Sequence, residues 1–291
     1  MARNLLIVNP FASAVDDATV AELVRALGDV ELRYTEHPHH ATELARDASG
    51  EVETIYVFSG DGGFNEVLNG VDPTTPLGLI PGGGASVLPR ALGLPRDPVR
   101  AARRLLARRM RRISVGRVNG RRFGFSAGLG LDAELVRGVD ALGRSLEQGR
   151  ASNVRFAWTA LRVLADHRFR LDPVLEVRGH GRAAFVLCAN CDPYTYAGPI
   201  ALHVAPLARF ELGVDVVGAR AVRPSALPRF LLYVLRGSGQ ERARDVLYAH
   251  DLDRAELVCD RPLPLQADGE DLGDVTKALV EAERDAVTVL V

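Results

Sequence analysis

A carboxylate set among glycines is the feature of this sequence best suited to chemistry. Asp61 lies between Gly60 and the pair Gly62 and Gly63, directly after the apolar run Ile55–Phe58, which predicts a buried strand. The residues after the glycines, from Asn65 onward, have the pattern of a short helix. A glycine turn and a helix N-terminus together present unpaired backbone N–H groups to an anion. Because an acidic side chain there would repel a phosphate unless a cation intervenes, the pattern predicts nucleotide phosphates with a divalent metal.

Two further loops are expected beside this one. The strand Leu5–Val8 ends at Asn9, and the strand Leu77–Ile80 ends at a second glycine loop, Pro81–Gly84. Strands and helices alternate through the first hundred residues, which favours a mostly parallel sheet covered by helices. Ligands of such sheets bind at the carboxyl ends of the strands. We therefore expect the three loops to converge on one ligand.

The pattern changes after about residue 112, where short strands predominate. The predicted strands are Ile113–Val118, Arg122–Ser126, Val174–Arg178, Ala183–Cys188, Gly213–Val217 and Ala255–Cys259. Two predicted helices, Leu131–Leu146 and Val154–Asp166, interrupt them. We therefore predict two domains. Residues 1–112 form a Rossmann-like α/β nucleotide-binding domain, residues 113–275 form an antiparallel, β-rich, sandwich-like domain for the substrate, and the segment 276–291 returns to the first.

Composition excludes several classes of function. The formal net charge is −1, so the protein has no overall positive charge that would favour binding to nucleic acid. Lys277 is the only lysine and lies near no glycine loop, which argues against P-loop and protein-kinase phosphate sites. Cys188 and Cys191 have C-x-x-C spacing, but no second pair follows, so we interpret them as buried strand residues.

The same composition predicts a cytoplasmic protein. Three cysteines, an odd number, suit a reducing compartment better than a disulfide framework. No apolar run reaches the roughly 20 residues that a membrane-spanning helix needs. The chain is therefore expected to be soluble, or at most peripheral on the inner membrane surface.

Four segments resemble the diacylglycerol kinase catalytic family, which includes bacterial lipid kinases, sphingosine kinases and ceramide kinases. Ser59–Gly70 resembles the family signature Gly-Gly-Asp-Gly-Thr-x-Asn-Glu-Val-x-Asn-Gly. Asn9–Ser13 resembles its opening Asn-Pro loop, and Thr35 its threonine after the second strand. Leu77–Gly93 is similar to its Pro-x-Gly-Thr-x-Asn-Asp segment, and Leu265–Glu270 to its Asp-Gly-Glu.

The resemblance implies that ATP and a lipid meet in a cleft between the two domains. The implied nucleotide-binding residues are Asn9, Pro10, Ser13, Thr35, Gly60, Gly62, Gly63, Asn65, Glu66, Gly83 and Gly84. Glu270 is implied to be the general base that takes the proton from the acceptor hydroxyl. Asp61 would hold the Mg²⁺ that bridges the phosphates, or would assist the base; related enzymes give the base role to this aspartate, so both assignments stay open. Asp132 and Asp268 are implied substrate residues, with a helix cap and a solvated hairpin turn as their respective alternatives.

Several positions depart from the family pattern, among them the segment 83–87, which lacks the hydroxyl and the carboxylate of Gly-Thr-x-Asn-Asp. Gly63 and Gly84 stand where the family has threonine, which weakens the ATP site although backbone donors remain. Leu212 stands where many bacterial lipid kinases have an aspartate that helps to hold a structural Mg²⁺, so that metal is predicted to be absent.

The function predicted from the sequence is phosphorylation of diacylglycerol or a similar long-chain lipid, during transient contact with a membrane. NAD kinase, whose family shares the Gly-Asp-Gly loop, and a non-catalytic nucleotide- or lipid-binding relative are the alternatives. The arginine-dense stretch 100–122 is equally compatible with a solvated face and with docking onto anionic lipid. The histidines of His37–His40 are interpreted as a polar loop, because no acids are spaced to complete a metal site. Neither the lipid nor the oligomeric state follows from the sequence.

Overall fold

The computed structural model describes residues 4–144 and 153–291, and the chain divides into two compact units. The α/β unit comprises the residues up to 115 together with 284–291. The β-rich unit comprises residues 116–283. The predicted fold class, an α/β domain followed by a β-rich domain, is confirmed.

Strands and helices alternate in the α/β unit. The elements are β1 (Asn4–Val8), α1 (Asp17–Leu27), β2 (Val30–Tyr34), α2 (His40–Ala48), β3 (Ile55–Ser59), α3 (Asp61–Gly70), β4 (Leu77–Pro81), α4 (Val87–Ala91) and α5 (Pro98–Leu105). The strand order is β2-β1-β3-β4 and all pairs are parallel. Leu6, Tyr56, Phe58 and Leu105 are buried in the core between this sheet and its helices. The carboxyl ends of β1, β3 and β4 therefore lie at one edge of the sheet.

The rest of the chain is mainly antiparallel. The elements are β5 (Met110–Val118), β6 (Arg121–Phe123), β7 (Ser126–Leu129), α6 (Leu131–Arg144), α7 (Asn153–Asp166), β8 (Leu175–Val177), β9 (Gly181–Ala183), β10 (Val186–Ala189), β11 (Thr195–Ala197), β12 (Ile200–Leu202), β13 (Val214–Ala219), α8 (Leu227–Arg236), β14 (Val246–Leu252), β15 (Arg254–Ala267) and β16 (Glu270–Leu290). Strands β14-β13-β10-β7-β15-β16 are neighbours in this order. Their alternate side chains, including Leu129, Val216 and Leu257, form the core of the β-rich unit together with Phe123 of β6.

Strand β16 continues from the β-rich unit into the α/β unit. Its Val289 pairs with Leu77 of β4 in a parallel arrangement, and Val287, Val289 and Leu290 are fully buried. The apolar tail that the sequence marked as a returning strand is thus the end of a strand that starts at Glu270.

Several predicted boundaries were wrong. The predicted strands over 122–126 and 183–188 are each divided by a short turn. Four elements, β11, β12, β14 and α8, were not predicted, and the last residues of the predicted helix 131–146 lie outside the described residues. Helix α3 begins at Asp61, with Gly60 as its N-cap, and not at Asn65. The glycine turn is therefore the first turn of the helix.

Among the described helices, none combines the length and the apolar character required to cross a membrane.

Candidate nucleotide site and candidate catalytic carboxylates

The three predicted loops meet at the carboxyl edge of the α/β sheet. The backbone N–H of Ala14 donates to the carbonyl of Gly82 at 2.9 Å, and the N–H of Gly82 donates to the carbonyl of Ser59 at 2.7 Å. The N–H of Asn9 donates to the carbonyl of Phe58 at 3.1 Å. Backbone hydrogen bonds thus join the loops after β1, β3 and β4, as the alternating pattern predicted.

The glycine at position 83 allows the loops after β3 and β4 to approach closely. A Cβ placed on Gly83 would lie 2.7 Å from the Cα of Gly60, which is closer than real Cβ atoms come to backbone. Glycine at position 83 is therefore required for this approach. Gly84, by contrast, is exposed and has open space around it.

Asp61 links the two glycine loops through its side chain. Its Oδ1 accepts a 2.7 Å hydrogen bond from the backbone N–H of Val87, the first residue of α4. The preceding residue, Ser86, has a φ of 44°, and its hydroxyl bonds both the N–H and the carbonyl of Gly83. Asp61 therefore satisfies an N-terminal donor of α4, as a capping side chain does.

A cavity of about 500 Å³ opens beside these loops, within the α/β unit. Its lining residues are Ile7, Asn9, Phe11, Thr35, Glu36, His37, Pro38, Ala41, Val57, Ser59, Gly63 and Glu66. Four residues predicted to bind the nucleotide are among them: Asn9, Thr35, Gly63 and Glu66. A concave, mainly apolar pocket with a few polar groups is typical of small-molecule sites.

The other predicted nucleotide residues do not line this cavity. They are Pro10, Ser13, Gly60, Gly62, Asn65, Gly83 and Gly84. Sequence reasoning in turn missed Phe11 and Ser59, which lie inside the motif segments, and the segment 36–38, which follows Thr35. Their positions beside Asn9, Gly60 and Thr35 were the available signal.

The Asn-Glu pair of the signature has structural partners. Asn65 is fully buried, and its carbonyl and Oδ1 accept from the side-chain amide of Asn69 at 2.8 and 3.2 Å. Glu66 accepts from the backbone N–H of His39 at 3.0 Å and of Ala41 at 3.1 Å. Glu66 therefore caps the N-terminus of α2 from α3. The predicted roles of both residues in nucleotide binding stay predictions.

The histidine loop does have an acid within reach, and the expectation that none was spaced for a metal was wrong. The rings of His37 and His40 stack with their centroids 4.6 Å apart, and Nε2 of His37 lies 4.0 Å from Oε2 of Glu43. Nδ1 of His40 accepts the backbone N–H of Glu36, however, so a neutral His40 ring carries its proton on Nε2. In a metal site, the histidine ring nitrogen that does not bind the metal normally donates its N–H to an acceptor. Nδ1 of His40 instead accepts a hydrogen bond, so its arrangement is the reverse of that of a metal ligand.

Glu270 begins β16 in the β-rich unit. Its carboxylate forms an ion pair with the guanidinium of Arg121 on β6, and both side chains are partly exposed. An accessible carboxylate is able to take a proton from a hydroxyl. Its pairing with Arg121 holds it in one orientation.

Asp268 lies in the turn between β15 and β16, and its side chain is buried. Its carboxylate accepts three backbone hydrogen bonds, from Gly124 at 2.6 Å and from Phe125 and Ser126 at 3.0 Å each. Asp268 therefore holds the connection between β6 and β7, and the alternative of a solvated hairpin turn is wrong for its side chain. Its implied contact with the substrate stays a prediction.

Asp132 lies in the first turn of α6 and is also buried. It accepts from the hydroxyl of Tyr194 at 2.5 Å and from the side-chain amide of Gln266 at 2.6 Å. Burial raises the pKa of Asp132, because it removes water from the charged form, and these two hydrogen bonds oppose the rise. Since its partners are side chains and not helix N–H groups, the helix-cap alternative is wrong. Its substrate role is untested.

Part of the arginine-dense stretch is engaged in ion pairs within the protein. Arg117 and Arg122 both pair with Glu283, and Arg112 donates to the carbonyl of Asp285. Burial raises the pKa of Glu283, but the ion pairs with Arg122 and Arg117 outweigh this and lower it. These three arginines therefore have structural partners. Arg104, Arg108 and Arg121 also have partners within the protein.

Both cysteines of the C-x-x-C pair are buried, as predicted, but Cys191 lies just after β10 and not on the strand. Cys188 lies on β10, and both Cys188 and Cys191 are buried without a disulfide. Burial, with a smaller contribution from the nearby Asp132, raises the pKa of the Cys188 thiol to about 12. A thiol of this kind is not a nucleophile at neutral pH.

The region of the predicted missing metal contains a buried carboxylate three residues after Leu212. Asp215 is fully buried and accepts from the Tyr248 hydroxyl at 2.8 Å, from Nδ1 of His250 at 2.7 Å and from the Asp251 N–H at 2.9 Å. Protein donors thus surround this carboxylate. The absence of a structural Mg²⁺ stays a prediction.

Comparison with known proteins shows what this sequence and this architecture are similar to. Residues 3–118 match the family model of the diacylglycerol kinase catalytic domain. The chain is 34% identical over 151 residues to a diacylglycerol kinase of Bacillus subtilis, covering 48% of this chain and 49% of that protein. It also superimposes on the crystal structure of a diacylglycerol kinase from Bacillus anthracis, with a TM-score of 0.72, 20% identity, and coverage of 99% and 96%. The resemblance to the diacylglycerol kinase catalytic family is confirmed.

A more distant structural likeness is to an NAD kinase from Archaeoglobus fulgidus, solved in complex with ATP. The TM-score is 0.51 at 12% identity, with coverage of 99% of this chain and 93% of that one. At these identities the two structures establish the fold alone. The matched segment also spans only about half the length of the Bacillus subtilis relative.

Proposed function

We propose that this protein is an ATP-dependent lipid kinase that transfers the γ-phosphoryl group of ATP to a hydroxyl of diacylglycerol or a similar long-chain lipid. The α/β unit binds the nucleotide and the β-rich unit binds the lipid. The observation that carries the proposal is the cavity beside the joined loops after β1 and β3, which Asn9, Thr35 and Gly63 line. These positions belong to the motifs that carry the family resemblance.

Mg²⁺ fits the residues of the nucleotide site. This ion usually takes one or two carboxylates from the protein and the remaining oxygens from phosphates and water. Asp61 is a half-buried carboxylate at the N-terminus of α3, beside the glycine loops. Asp61 would hold the ion, which supplies charge neutralisation to the phosphates. Phosphoryl transfer depends mainly on such neutralisation and on positioning.

Glu270 is proposed as the general base. Its carboxylate accepts the proton of the lipid hydroxyl as the hydroxyl oxygen attacks the γ-phosphorus and the bond to the β-phosphate oxygen breaks. Arg121 positions Glu270 through their ion pair. The lipid acceptor reaches the protein from a membrane surface that the protein contacts transiently.

The test is transfer of label from γ-labelled ATP, with diacylglycerol, a mixed lipid extract and NAD supplied in parallel. We expect labelled lipid with the wild type and a loss of at least about 100-fold with Glu270→Gln, the size typical for removal of a general base. Glu256→Gln is the matched control, because Glu256 is also a partly exposed strand carboxylate paired with an arginine, Arg178, at 3.3 Å.

The other outcomes separate the alternatives. Labelled NADP without labelled lipid would identify an NAD kinase and refute the proposal. Binding of ATP with no transfer to any acceptor would favour a non-catalytic nucleotide-binding protein. Equal activity of the wild type and Glu270→Gln would remove Glu270 from the base role and leave Asp61 as the candidate.

A further inference from the structure

Ser59 has a buried hydroxyl that no protein group satisfies. It is the last residue of β3, its relative exposure is 1%, and it lines the cavity of the α/β unit. Within the described part of the chain, its Oγ has no hydrogen-bond partner. Buried hydroxyls are normally hydrogen-bonded, so an unsatisfied one at a cavity wall indicates a ligand or a water.

The position of this hydroxyl excludes a side chain at position 63. A Cβ built on Gly63 would lie 2.1 Å from Oγ and 2.7 Å from Cβ of Ser59, and 4.0 Å from Nδ2 of Asn9. The side chains of residues 59 and 63 would therefore occupy the same space. The family signature has glycine at the first of these positions and threonine at the second, whereas this chain has Ser59 and Gly63. The Ser59 hydroxyl therefore lies next to the point where the side chain of a residue at position 63 would begin.

We propose that the Ser59 hydroxyl hydrogen-bonds an oxygen of the bound nucleotide, in place of the missing threonine hydroxyl. This inference rests on the proposed function for the identity of the ligand. A hydroxyl has one donor and two acceptor sites, so it suits phosphate and ribose oxygens equally. In this proposal the site keeps a hydroxyl, because Ser59 supplies the one that Gly63 lacks.

The experiment measures binding of ATP, ADP and adenosine by calorimetry, together with the melting temperature of each variant without nucleotide. Ser59→Ala is expected to weaken ATP binding roughly fivefold to tenfold, the effect of one neutral hydrogen bond. Gly63→Thr alone should lower the melting temperature and weaken binding, because Ser59 obstructs the threonine. The double variant Ser59→Gly, Gly63→Thr should recover both. Thr54→Val is the control, since it removes a fully buried hydroxyl just before the other end of β3, outside the cavity lining.

The nucleotide series locates the contact. Weakened ATP and ADP binding with unchanged adenosine binding would place the hydroxyl at the phosphates, and equal weakening of all three would place it at the nucleoside. Unchanged ATP affinity in Ser59→Ala, or no recovery in the double variant, would overturn the inference. A wild-type protein that binds no ATP would refute the proposed function and this inference with it, a result distinct from failure of the variants alone.

A second, independent observation concerns helix α8, an amphipathic helix that has an exposed apolar face, with Arg229 and Arg236 outside it. None of its ten residues is buried. Leu231, Leu232 and Leu235 are 59%, 41% and 47% exposed. At 3.6 residues per turn these three leucines lie within an arc of about 100°, so they form one exposed apolar face. We call it the α8 face.

The segment that contains the α8 face has more arginines than acids, although Arg223, Arg229 and Arg242 each form an ion pair with an acid. Residues 220–245 contain six arginines and two acidic residues. They are Arg220, Arg223, Arg229, Arg236, Arg242 and Arg244, with Glu241 and Asp245. Two copies of this face would bring the same positive charges together, which disfavours self-association. A membrane with anionic headgroups matches the arginines through its surface charge, and its apolar interior matches the exposed leucines.

We infer that the α8 face docks onto an anionic phospholipid surface; the inference gives the proposed lipid kinase its site of membrane contact. The test is co-sedimentation with vesicles of phosphatidylcholine, with and without phosphatidylglycerol, in the absence of ATP. We expect binding only to the anionic vesicles, release by high salt, and a loss of at least about fivefold for Leu231→Ser with Leu235→Ser. Leu106→Ser is the control, because Leu106 is 44% exposed in the α/β unit.

Unimpaired vesicle binding by the double leucine variant would overturn the inference. So would a dimer that this variant dissociates, measured by light scattering. Since the binding assay contains no nucleotide and detects no transfer, its failure is distinguishable from failure of the kinase assay.

Discussion

The carboxylate of Asp61 accepts a 2.7 Å hydrogen bond from the backbone N–H of Val87, so the proposed metal ligand also joins the two glycine loops. Its structural and chemical contributions are separable, because an asparagine Oδ1 accepts the same bond without the charge.

Asp61→Asn should retain the fold and lose activity. Asp61→Ala should in addition lower the free energy of unfolding by about 1–2 kcal/mol, the size of a lost helix cap. Urea denaturation and the kinase assay on both variants check this. Wild-type activity in Asp61→Asn would exclude a role for its charge in metal binding.

Asp268 is expected to act on stability. Replacing it with asparagine turns one acceptor oxygen into a donor facing the backbone N–H groups of 124–126. A buried donor without an acceptor costs roughly 1–3 kcal/mol, so Asp268→Asn should unfold at lower urea concentration. Glu270→Gln, at a partly exposed position, should unfold close to the wild type. If Asp268→Asn is as stable as the wild type but has a raised KM for lipid, the substrate role is supported.

Glu66 should stabilise α2 from a distance of 25 residues or more along the chain. Glu66→Ala removes the acceptors of the His39 and Ala41 N–H groups, and we expect the free energy of unfolding to fall by about 1–2 kcal/mol. Hydrogen exchange of the α2 amides should accelerate. Unchanged exchange in α2, combined with weaker ATP binding, would show that Glu66 serves the nucleotide and not the helix.

The ion pairs of Glu283 should make the β-rich unit sensitive to acid. Because the folded protein has a lowered pKa for this carboxylate, its stabilisation is present above the unfolded value of 4.5 and is lost as pH falls through the folded value. The difference in unfolding free energy between neutral pH and pH values below 4.5 should therefore be smaller in Glu283→Gln than in the wild type. Identical pH profiles would contradict this prediction.

The sequence predicted much of the α/β unit because local pattern and chain direction dictate it. An apolar run, a glycine or asparagine loop and an amphipathic helix recur, and parallel pairing brings the loops to one edge. The boundary of α3 was mispredicted because glycines usually disfavour helix. Here Gly63 is the first-turn residue whose missing side chain leaves room for the Ser59 hydroxyl.

The β-rich unit was less predictable, since its strands are short and pair with distant partners. The strand expected over 122–126 is divided because Asp268, more than 140 residues away, binds the intervening backbone. Helix α8 was missed because a short, mainly apolar run does not by itself distinguish a helix from a buried strand.

By itself the sequence determined the motif loops, their order and their family resemblance, since these depend on residue types and on short-range backbone preferences. Only the tertiary structure decided which polar side chains are available to a ligand. Asp268, Glu66 and Asn65 looked like ligand-binding residues, yet each has backbone or side-chain partners from other parts of the protein. Among the described residues, Ser59 combines an unsatisfied buried hydroxyl with a place in the cavity lining, and chain spacing does not specify the spatial neighbours on which this depends.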